Sequence, residues 1–130
     1  MQQVIFQEKY PLFTLELQKN ETTYTNVNDI LAYFRQKIDE HPITVFIANF
    51  DHYSHTMSLP EHAMNPAIKD AKNIIFCFGK DLNDPLMIGA RPRSIGVIEF
   101  ENSFLISFLE APNPMATNTM EAWAKGLKKS

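Results

Sequence analysis

The chain predicts an α+β fold: residues 1–130 form a single small domain with roughly five antiparallel or mixed strands and two main helices packed on one face of the sheet. Three observations predict it. Apolar runs of strand length recur at 12–17, 43–50, 74–78, 95–100 and 104–109. Two other segments, 27–38 and 120–127, carry apolar residues at helical spacing. The runs 95–100 and 104–109 are separated only by Glu101-Asn102-Ser103, a hairpin spacing.

Residues 4–6 and 12–17 make the first extended region. Phe13, Leu15 and Leu17 alternate with Thr14, Glu16 and Gln18, so one face is buried and the other wet. Pro11 lacks an N–H and puts Tyr10-Pro11 at a strand start or an edge. The polar stretch 20–23 is a loop. Thr25 or Asn26 then caps a helix with the stripe Val27, Ile30, Leu31, Phe34 and Ile38, and charged residues occupy the rest of its surface. His41-Pro42 ends it, because a residue before proline avoids the helical region.

The run 43–50 is apolar at nearly every position. That pattern is expected in the middle of a sheet or under a helix. Residues 51–57 either extend this strand or turn out of it. Residues 59–71 have helical character after Pro60, interrupted at Pro66, and 74–78 is a second short apolar strand. From 79 to 92 the Gly, Asp, Asn and Pro content is that of turns, with Leu82, Leu86 and Met87 forming one amphipathic turn inside it. Asn113-Pro114 breaks the last strand. Asn118, with Glu121 three residues on, caps a final helix whose stripe is Met120, Trp123, Ala124 and Leu127.

Hydrophobic residues at 45% and charged residues at 21% are those of an ordinary globular protein, which sets disorder aside. A formal charge of −3, with Arg91/Arg93 and the tail Lys125, Lys128 and Lys129 as the only basic clusters, argues against nucleic acid as a partner. The single cysteine, Cys77, sits in an apolar strand and reads as a packing residue. The first residues lack a basic stretch leading into an apolar run, and no apolar run approaches the ~20 residues of a membrane span. A cytoplasmic protein without a membrane partner is expected.

The segment between the strands 43–50 and 74–78 holds three of the four histidines, His52, His55 and His62, beside Asp51. Neutral imidazole is the commonest ligand for borderline metals, and a carboxylate can complete such a site. In an extended segment His52 and His55 would point to opposite faces and share no metal; in a turn or helix they would converge. Met57 and Met64 are the soft-metal or haem candidates nearby. Against these stands the plainer role, a histidine bonded to a backbone carbonyl with its neighbours in solvent. His52 with Asp51 or Glu61 also suits the acid–base pair of a small hydrolase or isomerase, although no nucleophile-elbow glycines surround Ser54, Ser58 or Ser107. Gly79-Lys80 with Arg91 and Arg93 suggests an anion-binding turn. Without a Gly-x-x-x-x-Gly-Lys pattern, it reads as a surface loop with exposed cations.

The order of short motifs adds a resemblance. An apolar strand ending in Asp51-His52, a strand ending in Phe78-Gly79, the pair Leu86-Met87 and a hairpin resemble the domain-of-unknown-function family numbered three hundred and two, over about residues 12–112. Lys80-Asp81 stands where that family has Asn-Pro, and 53–57 is not Ala-rich, so the chain looks like a divergent member or a neighbouring family. The resemblance implies a compact, often self-associating α+β sandwich and no known activity. Ten phenylalanines exceed the needs of one sheet face, and the surplus suits a pocket or a dimer interface. Phe50, Phe78, Gly79, Leu86 and Met87 are the pocket candidates.

The leading expectation is a non-enzymatic small-ligand-binding or interaction module that forms a homodimer. The alternatives are a metal- or haem-binding protein centred on His52, and a hydrolase or isomerase with His52 as base.

Overall fold

Six strands pair antiparallel in one sheet, with the order β1-β2-β6-β5-β4-β3. In a computed structural model describing residues 1–129, they are β1 (Gln2–Phe6), β2 (Tyr10–Gln18), β3 (Thr44–Asp51), β4 (Asp70–Phe78), β5 (Arg93–Glu99) and β6 (Ser103–Leu109). Three helices accompany them: α1 (Val27–Glu40), α2 (His52–Ser58) and α3 (Pro114–Lys125). The sheet has one strand more than expected because the first extended region is itself a hairpin. Its turn places Gln7 and Glu8 at φ of 52° and 63°, and Lys9 N–H donates to Phe6 O at 3.2 Å. Without the Asn-Gly signature of such turns, the sequence hides it.

The stripe of α1 is buried as its spacing requires, and Asn26 is the cap, accepting from Asp29 N–H at 2.8 Å. Helix α3 begins earlier than expected. Asn113 caps it, accepting from Met115 N–H, and Pro114 occupies the first turn, where its missing N–H costs nothing. Pro114 thus starts the helix, and Asn118 lies within it.

Helices α1 and α3 share one face of the sheet. Ile74, Phe76 and Phe78 of β4, Ile95 and Val97 of β5, and Phe104, Ile106 and Phe108 of β6 point to them and join one continuous core. Tyr33 Oη donates to Trp123 O at 2.6 Å and ties α1 to α3.

Strand β3 is an edge strand, not a central one. A bulge between Phe46 and Ala48 shifts its register. Arg35 of α1 lies over the Phe46 ring at 3.8 Å, while Val45 and Ile47 stay exposed. An apolar run marks an interior strand only when both faces are covered, and here only one is. Residues 51–57 are neither strand nor turn but mostly the helix α2, capped by Asp51. The helix expected within 59–71 does not form. Asn65 makes a turn instead, accepting from Ala67 N–H at its side chain and Ile68 N–H at its backbone, and β4 starts at Asp70. Among the described residues, no helix is long and apolar enough to cross a membrane.

Candidate functional site

Strand β4 separates two places that could carry function. Its first residues lie beside the histidines, and its last residues form the floor of a cavity of ≈ 300 Å³ under the start of α3. Ile43, Phe78, Met87, Ala111 and Met115 give the cavity apolar walls. Lys80, Asp81, Arg91, Arg93 and Asn113 are its polar lining.

Backbone carbonyls position both arginines. The ladder between β3 and β4 runs one residue past the strand, as Gly79 N–H donates to Ile43 O at 3.0 Å. A Cβ on Gly79 would lie 3.0 Å from Arg91 Nη1, so glycine there leaves room for the guanidinium against the chain. Arg91 Nη2 donates to Asp81 O at 2.9 Å. Asp84 caps the short 3₁₀ segment Pro85–Ala90, which turns Met87 into the cavity and leaves Leu86 84% exposed.

Arg93, the first residue of β5, is half-buried. Its Nη2 donates to Leu109 O and its Nη1 to Ala90 O. Its Nε is buried and is the one such side-chain atom among the described residues that has no hydrogen-bond partner. Burial pushes the Arg93 pKa below the ordinary arginine value, yet the guanidinium stays charged at neutral pH. The positive end of the α3 dipole adds to the same field. Three cations face one carboxylate, Asp81, so the cavity favours an anion.

The loop 79–93 is therefore not simply a solvated surface. Lys80, Arg91 and Arg93 are up to thirteen residues apart in the chain, and only the pairing of β4 with β5 and the seating of α3 bring them to one cavity. Of the pocket candidates, Phe78, Gly79 and Met87 line it. Leu86 does not, and Phe50 lies at the other end of β3.

At that other end α2 does bring His52 and His55 onto one side. Their ring centroids are 6.3 Å apart, and both pack on Phe50, at 5.4 and 5.6 Å. Asp51 is engaged elsewhere. Its carboxylate accepts from Ser54 N–H at 2.9 Å and Ser54 Oγ at 3.0 Å, and Lys72 Nζ is 3.8 Å away. The Ser54 amide bond, followed by the Ser54 hydroxyl and the Lys72 charge, holds the Asp51 pKa below the usual aspartate value despite partial desolvation. His52 Nδ1 is 3.3 Å from Thr56 Oγ1, a hydroxyl rather than an acid. His62 is turned away and donates from Nδ1 to Leu59 O at 2.8 Å; with Met57 and Met64 it lines a shallow hollow. Among the described residues, no three or more His, Cys, Asp or Glu side chains are grouped to hold a metal ion.

Residues 1–129 match the model of a Family of unknown function (DUF6858), and the chain belongs to that family. This match overturns the resemblance to the family numbered three hundred and two, whose Asp-His, Phe-Gly and Leu-Met pairs are short enough to recur by chance. No curated protein and no solved structure matches the chain.

Proposed function

We propose that this family member is a binding module for a small organic anion, one with a carboxylate or phosphate head and an apolar body. The observation that carries the reading is the half-buried Arg93 guanidinium, with its unpartnered Nε, beside a cavity of ≈ 300 Å³ with apolar walls. That volume and that mix of apolar surface with a few convergent polar groups are those of small-molecule sites. A planar guanidinium suits the fork of a carboxylate or phosphate, and a helix N-terminus supports the same charge. The lining contains no Ser, Thr, Cys or His. The hydroxyl, thiol and imidazole groups of the commonest nucleophile–base pairs are missing, and Lys80 and Asp81 are exposed, so the lining supports binding by charge and shape over catalysis.

The test is calorimetric titration with matched probes: phenyl phosphate, benzoate, benzamide and benzylamine. The anions are expected to bind and the amide and amine to fail. Arg93→Met keeps the aliphatic stem and removes charge-assisted bonds worth about 1.5–3 kcal/mol, so anion affinity should fall by roughly ten- to a hundredfold. Binding that ignores the probe's charge, or that survives Arg93→Met unchanged, would refute the reading.

A further inference from the structure

We propose that the sheet face opposite α1 and α3 docks a second copy of this chain, each copy placing its β1–β2 hairpin in the other's trough. The trough follows from alternation along the central strands. Where Ile74, Ile95 and Ile106 point to the helices, their neighbours Asn73, Ser94, Gly96 and Ser107 point the other way. These are small or polar side chains. A Cβ on Gly96 would meet Asn73 Nδ2 at 3.4 Å and Ser107 Oγ at 3.6 Å, ordinary contact distances, so the glycine leaves the floor deeper than its neighbours require. Two hollows of ≈ 440 and ≈ 380 Å³ share Asn73, Gly96 and Ser107 and together run across the face. Helix α2 and the segment 63–68 wall the far side.

The near side is a ridge. Val4 and Phe6 of β1, Tyr10 of β2 and Leu109 of β6 stand on this face beside the trough, with Phe6 51% and Tyr10 48% exposed. An apolar ridge and a trough side by side on one face are self-complementary under a twofold axis, which seats each ridge in the opposite trough.

Charge and area both choose a second copy as the occupant. The hollow beside the ridge is lined by no charged side chain, and the other is lined by Lys72 as its one Lys, Arg, Asp or Glu. Two chains of charge −3 repel through a charged surface and meet at least cost through this one. The four ridge side chains expose on the order of 400 Å² per copy. A standard interface takes about 800 Å² from each partner, a little over half of it apolar, so the ridge supplies most of the apolar share and the trough floor much of the rest.

Sedimentation velocity of the full chain tests this, with Phe6→Ser and Ser94→Arg as variants. Both positions are exposed, and unchanged far-UV spectra will show that both variants fold. The wild type is expected to be dimeric at about 100 µM, and each variant should dissociate at least tenfold more readily. Mixing the two variants discriminates further. A mixed dimer keeps one intact ridge-in-trough contact while each variant's own dimer keeps none, so the mixture should regain dimer. A monomeric wild type, or a dimer indifferent to Ser94→Arg, as pairing through the β3 edge would be, overturns the proposal. So does a mixture that regains nothing.

Discussion

The two faces of the sheet are built from alternate residues of the same strands, yet they are different materials. On the helix side Phe76, Phe104, Ile95 and Ile106 are fully buried beneath α1 and α3. One residue away on each strand lie Cys77, Leu105, Ser94 and Ser107, none of them buried, although α2 and the segment 63–68 pack over part of this face. The difference teaches that stability and recognition are divided here by parity. Odd and even positions of one strand answer to different partners, and a substitution should be judged by its face before its chemistry.

The sharpest way to break that comparison is a pair of neighbours on β4. Phe76→Ala empties a fully buried site and should cost about 3–5 kcal/mol. Cys77→Ala, on the open face, should cost less than about 1 kcal/mol, since its thiol is half-exposed and its one hydrogen bond runs to the adjacent Phe78 O. Urea unfolding measures both. Equal costs would mean that the second face is covered in solution by something as dense as the helices.

The same division decides what could be read from the sequence. The stripe of α1 and the alternation of Phe104, Ile106 and Phe108 were legible because one face of each is buried and the other wet. Strand β3 was misleading because its apolar residues are not all interior. Val45 and Ile47 lie on an exposed edge, and the bulge after Phe46 changes which residues face the helices. Helix α2 hid in a seven-residue segment too short for periodicity, and its signal was Asp51 as a cap three residues before Ser54. Of the pocket candidates, Phe78, Gly79 and Met87 line the cavity; Lys80, Arg91 and Arg93 line it too, although in the sequence they suggest an anion-binding turn and read more simply as a surface loop with exposed cations. Arg91 and Arg93 flank a proline where the loop enters β5, and nothing local says that α3 will fold its first turn against them.

A second test concerns how tightly the covered face is closed. Gly126, just past α3, has φ of −68° and needs no glycine for its backbone, but a Cβ there would collide with the Tyr33 hydroxyl. That hydroxyl bonds to Trp123 O and joins the two helices, and burial raises the Tyr33 pKa above the ordinary tyrosine value. Gly126→Ala should therefore destabilise by about 1–3 kcal/mol through overpacking. Tyr33→Phe removes both the colliding atom and its bond, at a cost of roughly 1 kcal/mol. The double variant should be less damaged than the sum of the two. Strict additivity in thermal unfolding would show that α1 and α3 can separate enough to admit a methyl group, and that the covered face is softer than its burial suggests.

The smallest effect lies on the open side, where α2 contributes no fully buried side chain and its first turn is closed by the Asp51 carboxylate. Because the folded-state pKa of Asp51 is lowered, its ionised form is favoured by folding. That contribution is complete above the pKa of an unfolded aspartate and is lost as pH falls through the lower folded value. Amide hydrogen exchange at Ser54 and its neighbours should thus accelerate on acidification, beyond the intrinsic pH dependence, before the core strands open. Asp51→Asn supplies a cap that does not titrate, so the acid-induced loosening of α2 should vanish while Phe76 and its surroundings behave as before. If the variant loosens at the same pH as the wild type, another group controls α2. The imidazoles of His52 and His55, packed on Phe50, would then be the next to examine.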